Sequence, residues 1–586
     1  LTRKAKRQPG GNPENSTASG RSTDRPAGHR LPAFGPWIAA AVTALVFLPA
    51  IRNGFVSDDE ATLLLTTGYR GFDPGRVQWM LTTNYCGHYQ PLSWLTFAVD
   101  YALWGLRPAG FHLTNVLMHA FSAALVFLLA RELGRTQRGA GDGAEPAGSA
   151  FGALFAALLF ALHPLRVESV AWVTERRDVL GSGLLLASVL LYLRAHRPDE
   201  PGASRRRLRL SFLLAVASLL ARTLGTVIPA ILLLLDVWPL RRIGGDGVRS
   251  WVGREARKVW VEKIPFVLVA TFGLVLAPLA SMDVGASRTL AEHPLSGRFA
   301  QAAYGLVFYV GKLLWPTRLS AMYELRLPVD PAAPKYLWAA ILVVVAAAAV
   351  VSLRRKIPAL GVSSLAHVLF LLPVLGLFQT GPQEVADRYS YLPSVGWAIL
   401  AGFGVEKLLG RRPSSRGAAI VGSLALLPIL AVASIRQIAV WKSNETLWAH
   451  AVECGPPSAV ARYSLAKERA LAGRWIEAES GFAAAAELDS SMPLPRLALG
   501  KTLLSLGRPD EALATFREAL REAPTSSEAS FGIAESLARL GREAEAARWL
   551  RITLIQEPEH EPARRALEEY RRSLGWRTPP GKADRR

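Results

Sequence analysis

Residues 336–352 read YLWAAILVVVAAAAVVS, and after Leu353 comes Arg354-Arg355-Lys356. No Asp, Glu, Lys or Arg interrupts the apolar run. As a helix it would rise about 25 Å, close to the ~30 Å hydrocarbon core of a bilayer. The basic triplet at its end marks a cytoplasmic boundary, because short loops rich in Lys and Arg are retained on that side.

The same pattern recurs along the chain. Apolar segments lie at about 35–51, 111–130, 150–162, 179–195, 208–221, 223–239, 264–280, 299–315, 336–352, 358–379, 389–408 and 417–434. A chain of 586 residues with 50% apolar composition and mean hydropathy +0.21 is thereby read as a polytopic, all-α membrane protein. Disordered and collagen-like chains are excluded by the same composition. Cys86 and Cys454 are the two cysteines, too few for a disulfide framework or a cysteine zinc site.

Charge sets the expected orientation. The Gly-, Pro-, Ser- and Arg-rich arm 1–30 has seven Lys/Arg and two acids, reads as disordered, and is expected to stay cytoplasmic rather than serve as a secretory signal. Segments 194–209, 241–263, 353–356 and 410–416 are basic too, and are expected on the same side. Consistent alternation then requires one apolar segment to lie in the interface; 299–315, with Gln301, Lys312 and several aromatics, is the candidate. About eleven spans result. Residues 52–110, 163–178, 316–335, 380–388 and everything after 435 fall outside the cytoplasm. The five basic segments hold 26 Lys/Arg and 7 acids, a net of +19 out of the +21 on the chain. The excess is a topology signal, and no nucleic-acid partner is called for.

After Trp441 a repeat appears. Gly473, Gly507 and Gly541 are spaced by 34 residues, as are Arg474, Arg508 and Arg542, and the aromatics Trp448, Phe482 and Phe516. A 34-residue period with Gly at the helix turn and Ala at the crossings is the tetratricopeptide pattern, an α-solenoid whose groove usually takes peptide. The expected division is 1–30 arm, 31–440 membrane domain, 441–572 repeats and 573–586 disordered tail.

Three polar clusters share the non-cytoplasmic face. Asp58 and Asp59 follow the first span; adjacent carboxylates suit a general base, a divalent-cation site, or a solvated loop capped by Ser57. The run from His163 through Arg166, Glu168, Glu175, Arg176, Arg177 and Asp178 places arginines where topology disfavours them, and arginines fork onto phosphate. Arg222 breaks an apolar stretch, and Arg388 with Tyr391 opens a later span. His112 and His119, seven apart on one helix face, are a weak metal signal without a third ligand, and polar contacts between helices are the competing reading. Acids to deprotonate an acceptor and arginines to hold a departing phosphate suit group transfer from a lipid phosphate.

Taken together, Phe55-Val56-Ser57-Asp58-Asp59, Pro91-Leu92-Ser93-Trp94, Phe111-His112-Leu113-Thr114-Asn115, and His163-Pro164 running through Glu168-Ser169-Val170-Ala171-Trp172 to Arg176-Arg177-Asp178 resemble the transmembrane and tetratricopeptide-repeat O-mannosyltransferase family. Leu235-Asp236-Val237-Trp238-Pro239-Leu240 and Arg388-Tyr389 through Tyr391-Leu392-Pro393-Ser394 extend the likeness over about 35–560. The resemblance implies a GT-C membrane glycosyltransferase of the cytoplasmic membrane. It would move a mannose-like sugar, with inversion, from a polyprenyl-phosphate to Ser/Thr hydroxyls of an extracytoplasmic protein held by the repeats. Carried over, Asp58 or Asp59 is the base. Arg176, Arg177, Arg222, Arg388 and Tyr391 hold the donor phosphate, with His88, His163, Glu168 and Asp178 in support. No cofactor is required; a divalent cation stays open. Two departures stand out: Gln90 occupies a position where Arg or His is common, with His88 a potential substitute, and Arg222 replaces the usual Lys. The competing readings are a non-catalytic scaffold that recruits envelope proteins and a glycosyltransferase acting on lipid or glycan.

Overall fold

The computed structural model describes residues 31–573, apart from 86, 139–147, 198–203, 245–248, 283–287, 380 and 412. The basic arm 1–30 and the tail from 574 lie outside the described residues. Within them the chain is all-α except for two small antiparallel pairings, Asn84–Tyr85 with His88–Tyr89 and Tyr323–Glu324 with Gln383–Val385.

The membrane domain is built around the long helix Pro108–Arg138. Against it pack Leu31–Phe47, Ser149–Ala161 and Arg176–Ala195, and Ser149–Ala161 in turn packs on Pro393–Leu409. Lipid offers apolar side chains no drive to leave it, so such helices associate through close packing of small residues. Gly152 and Gly402 meet at the last of these crossings: a Cβ on Gly152 would stand 2.6 Å from the Gly402 carbonyl oxygen. The core between the helices holds Phe47, Phe127, Phe160 and Tyr192, all closed to solvent.

Among the described residues five helices are long and apolar enough to cross a membrane: Ala33–Arg52, Pro108–Arg138, Val173–Ala195, Pro334–Leu353 and Ser414–Val440. The pair Ser149–Ala161 and Pro164–Ala171, bent by 54°, makes a sixth if it is one broken span. The chain is a multi-pass membrane protein, with fewer full-length apolar helices among the described residues than the eleven spans read from the sequence. The remaining segments form helices that are short, such as Ile228–Val237, or that carry charge, such as Ser204–Ala221 with Arg205, Arg206, Arg207 and Arg209. Helix Leu295–Leu314, the expected interfacial element, is amphipathic and turns Arg298, Gln301 and Tyr309 inward.

The repeats follow as helix pairs: a single helix Asn444–Cys454, three pairs from Ala459–Leu471 to Glu543–Gln556, and a last helix Glu561–Ser573. Gly473, Gly507 and Gly541 adopt φ of +74°, +74° and +73°, the left-handed turn that closes the first helix of each pair. Phe516 is fully buried in the space left by Gly500 and Gly532, where a Cβ on Gly500 would come within 2.6 Å of its ring.

Candidate active site

The loop after the first membrane helix is pinned at both ends. Asn53 donates Nδ2 to the Ile438 carbonyl at 3.1 Å, and the Gly54 N–H donates to Lys442 at 3.0 Å. Between these and the next turn the two acids separate. Asp59 is fully buried. Its Oδ2 accepts from the Val56 N–H at 3.1 Å, and its Oδ1 accepts from the Thr174 N–H at 2.7 Å and the Thr174 hydroxyl at 2.6 Å. Burial pushes this carboxyl up to about 7 against the pull of those three donors. Asp58 faces solvent. Its carboxyl is raised above the ordinary range by the surrounding protein, lowered by Arg177, raised by Glu175 and lowered by Arg388.

Those neighbours form one ionic cluster with Glu175 at its centre. Arg177 donates to Glu175 Oε1 at 2.6 Å and Arg222 to Oε2 at 2.7 Å. The Arg388 Nε stands 3.6 Å from Oε1. Arg222 also pairs with Asp178. Arg388 is fixed by Glu168, which accepts from its Nη1 at 2.6 Å and its backbone N–H at 2.7 Å. The Arg388 guanidinium lies 5.4 Å above the Trp172 ring. Glu175 is closed to solvent, whereas the side chains of Arg177, Arg222 and Arg388 remain 11%, 14% and 11% exposed. These three partly exposed cations are what an anion would meet. His88 is exposed in the field of the same cations; Arg177 first, then burial and Arg222, drive its ring down to about 3, so it is neutral.

Several residues expected at the site are elsewhere. Arg176 is fully buried and pairs with Asp100 at 2.5 Å, donates Nε to Asn115 at 2.7 Å, and stacks on Phe97 at 4.5 Å. It closes a helix junction and is shut off from solvent. Tyr391 is likewise buried, its hydroxyl donating to His119 Nδ1 at 2.7 Å while His119 Nε2 donates to Ala161 O at 3.1 Å. His163 caps the turn Pro164–Arg166: its Nδ1 accepts from the Leu165 N–H at 3.3 Å and its Nε2 donates to Leu313 O at 3.0 Å. His112 reaches the Gly54 carbonyl at 3.2 Å. Glu168 and Asp178 do join the cluster, as counter-ions. Glu175, its hub, stands in the polar run read from the sequence but is given no role there; its place between Thr174 and Arg176-Arg177 is its one sequence-level signal. As for a divalent cation, Asp59 is consumed by donors, and among the described residues no three His, Cys, Asp or Glu side chains are grouped as metal ligands. Gln90 is buried, with its Oε1 unpaired.

The face bearing this cluster also receives the repeats. Glu324 accepts from the Ser458 hydroxyl at 2.6 Å, Arg326 donates to Pro457 O at 3.0 Å, and His450 bonds Leu319 O at 3.1 Å. An exposed carboxyl, three partly exposed arginines and a helical solenoid thus share one side of the molecule.

Comparison with known proteins bears on that combination. Tmtc1 of Drosophila melanogaster, a protein O-mannosyl-transferase, is 26% identical over 75% of this chain and 60% of its own length. Human TMTC1, also a protein O-mannosyl-transferase, is 25% identical over 79% of this chain and 56% of its own. The chain is similar in sequence to these protein O-mannosyl-transferases over about three quarters of its length. It spans about 60% of the length of these curated relatives. A tetratricopeptide repeat family model matches residues 497–561, inside the solenoid. The crystal structure of ArnT from Cupriavidus metallidurans bound to undecaprenyl phosphate aligns over 88% of this chain and 79% of that one, at 14% identity and a TM-score of 0.36.

Proposed function

We propose that this chain is an inverting membrane glycosyltransferase. It moves a mannose-like sugar from a polyprenyl-phosphate to Ser or Thr hydroxyls of a protein presented by the repeats. The observation that carries this reading is the exposed Asp58 carboxyl beside the partly exposed side chains of Arg177, Arg222 and Arg388, on the face where the solenoid docks. The names borne by the relatives agree with it.

In this reading the acceptor oxygen attacks the anomeric carbon as the bond from that carbon to the phosphate oxygen breaks. The electron pair of the broken bond goes to the phosphate, whose growing charge is met by the guanidinium groups. The hydroxyl proton goes to Asp58. A single displacement inverts the anomeric centre. Asp59 has no free lone pair aimed at solvent and serves to hold the loop against Thr174. The arginines lie ready because Glu175, Glu168 and Asp178 fix them before any substrate arrives, so little reorganisation remains at the moment of reaction.

Membranes carrying the full chain, given a labelled polyprenyl-phosphate mannose and a Ser/Thr-rich extracytoplasmic acceptor, should transfer label to protein. Asp58→Asn should lower the rate about 10²- to 10⁴-fold, the range for loss of a positioned general base. Wild-type transfer by that variant would sink the assignment.

A further inference from the structure

The segment joining the last membrane helix to the repeats touches both halves of the proposed site. On one side Asn444, the first residue of the first repeat helix, accepts through its Oδ1 from the Ser57 N–H at 2.7 Å. Ser57 immediately precedes Asp58 and sits at φ +54°, in the left-handed region that residues with a Cβ avoid. On the other side Trp441 stacks on Trp172 at 5.9 Å with 25° between the rings, and Arg388 lies 5.4 Å from the Trp172 ring. Asn444 is itself held: its Nδ2 donates to Glu468 Oε1 at 3.3 Å, on the next repeat helix. Ser443 caps the helix that Asn444 starts through a reciprocal bond with Thr446.

We infer that Asn444 is a positioning residue for sugar transfer: it holds Ser57 in its left-handed conformation and so aims Asp58 at the arginine cluster. This rests on the reading of Asp58 as the base. A side chain that belongs to the repeat array thereby sets the geometry of a carboxyl that belongs to the membrane domain. The bond is to a backbone N–H, so the role needs an acceptor at one position and no charge. Glu468 anchors that acceptor from within the repeats, which ties the aim of Asp58 to the seating of the solenoid.

The test is steady-state transfer by full-length variants in membranes, with acceptor KM and kcat separated. Asn444→Ala should lower kcat at least tenfold while acceptor KM stays within twofold. Asn444→Asp combined with Glu468→Gln, which keeps the acceptor oxygen and returns a donor from the amide at 468, should stay within threefold of wild type. Adding Ser57→Gly to Asn444→Ala should restore at least threefold of the loss, since Gly takes a positive φ without the Cβ penalty. If the Ala variant is recovered poorly, Asn444→Gln carries the test, for its amide is one methylene out of place and should lower kcat likewise. Unchanged kcat in Asn444→Ala, a raised KM with kcat intact, or no rescue by Ser57→Gly would each overturn the inference. Asp58→Asn run alongside separates the two claims: if it is inactive while Asn444→Ala is normal, only the positioning role falls.

Discussion

One peptide bond separates Asp58 from Asp59, and in a turning backbone successive side chains diverge, so the two carboxyls meet different surroundings. Asp59 spends its lone pairs on Val56 and Thr174; Asp58 keeps its own and faces Arg177, Glu175 and Arg388. A base must be ionised to act, so transfer should fall on acidification. The acid limb should lie above the ~3.9 of an ordinary aspartate, since the carboxyl is raised. Arg177 favours the anion, and Arg177→Gln should move the limb to higher pH. Glu175 disfavours it, and Glu175→Gln should move the limb lower. The kcat/KM profile of each variant checks this; shifts of the same sign would contradict the arrangement. Arg176 shows the limit of reading single residues. It stands next to Arg177 in a motif rich in charge, yet helix geometry turns it by about 100° per residue, into Asp100 and Asn115. Sequence adjacency carries no information about which of two neighbours points to a recess.

At the scale of elements, helix Ser149–Ala161 and helix Pro393–Leu409 cross where Gly152 faces Gly402. The second begins three residues after Ser390, so its seating bears on the turn that carries Arg388. Gly402→Val should force the pair apart and destabilise the domain by about 1–3 kcal/mol, the cost of overpacking a close contact. Gly404→Val on the same helix meets nothing within 4 Å and serves as the matched control. Thermal unfolding in detergent should separate the two; equal melting would show the crossing to be loose. Elements also show why parts of this fold were legible. The repeats announce themselves because each 34-residue unit solves one local problem, a left-handed turn at Gly473, Gly507 and Gly541 beside aromatics that need small partners. The membrane helices are legible as apolar runs, but hydropathy does not tell that 223–239 breaks into the turn Thr223–Val227 and the short helix Ile228–Val237. The Glu175 hub was hidden for another reason: its partners Arg222 and Arg388 arrive from 47 and 213 residues downstream, and no local pattern encodes such a meeting.

Across the whole molecule, helix Pro334–Leu353 joins two ends with different company. Before it, Arg326 is bonded to the repeats; after it comes Arg354-Arg355-Lys356. At 1.5 Å per residue its 20 residues cover about 30 Å, one bilayer core. With Cys86 and Cys454 replaced by Ser, a cysteine at the exposed Asp330 should react with an impermeant maleimide in intact cells. One at Lys356 should react only after permeabilisation. The reverse pattern would invert the orientation drawn from charge.

The long reach of the loop contacts also fixes an order of events during synthesis. Thr174 lies 115 residues beyond Asp59, and Asn444 lies 387 residues beyond Ser57. A ribosome adding about 5–20 residues per second needs roughly 20–80 s to cover the longer gap. Throughout that interval the first loop has emerged and its final partner has not. On the role inferred for Asn444, the nascent chain becomes able to aim the Asp58 carboxyl only as the first repeat helix leaves the ribosome.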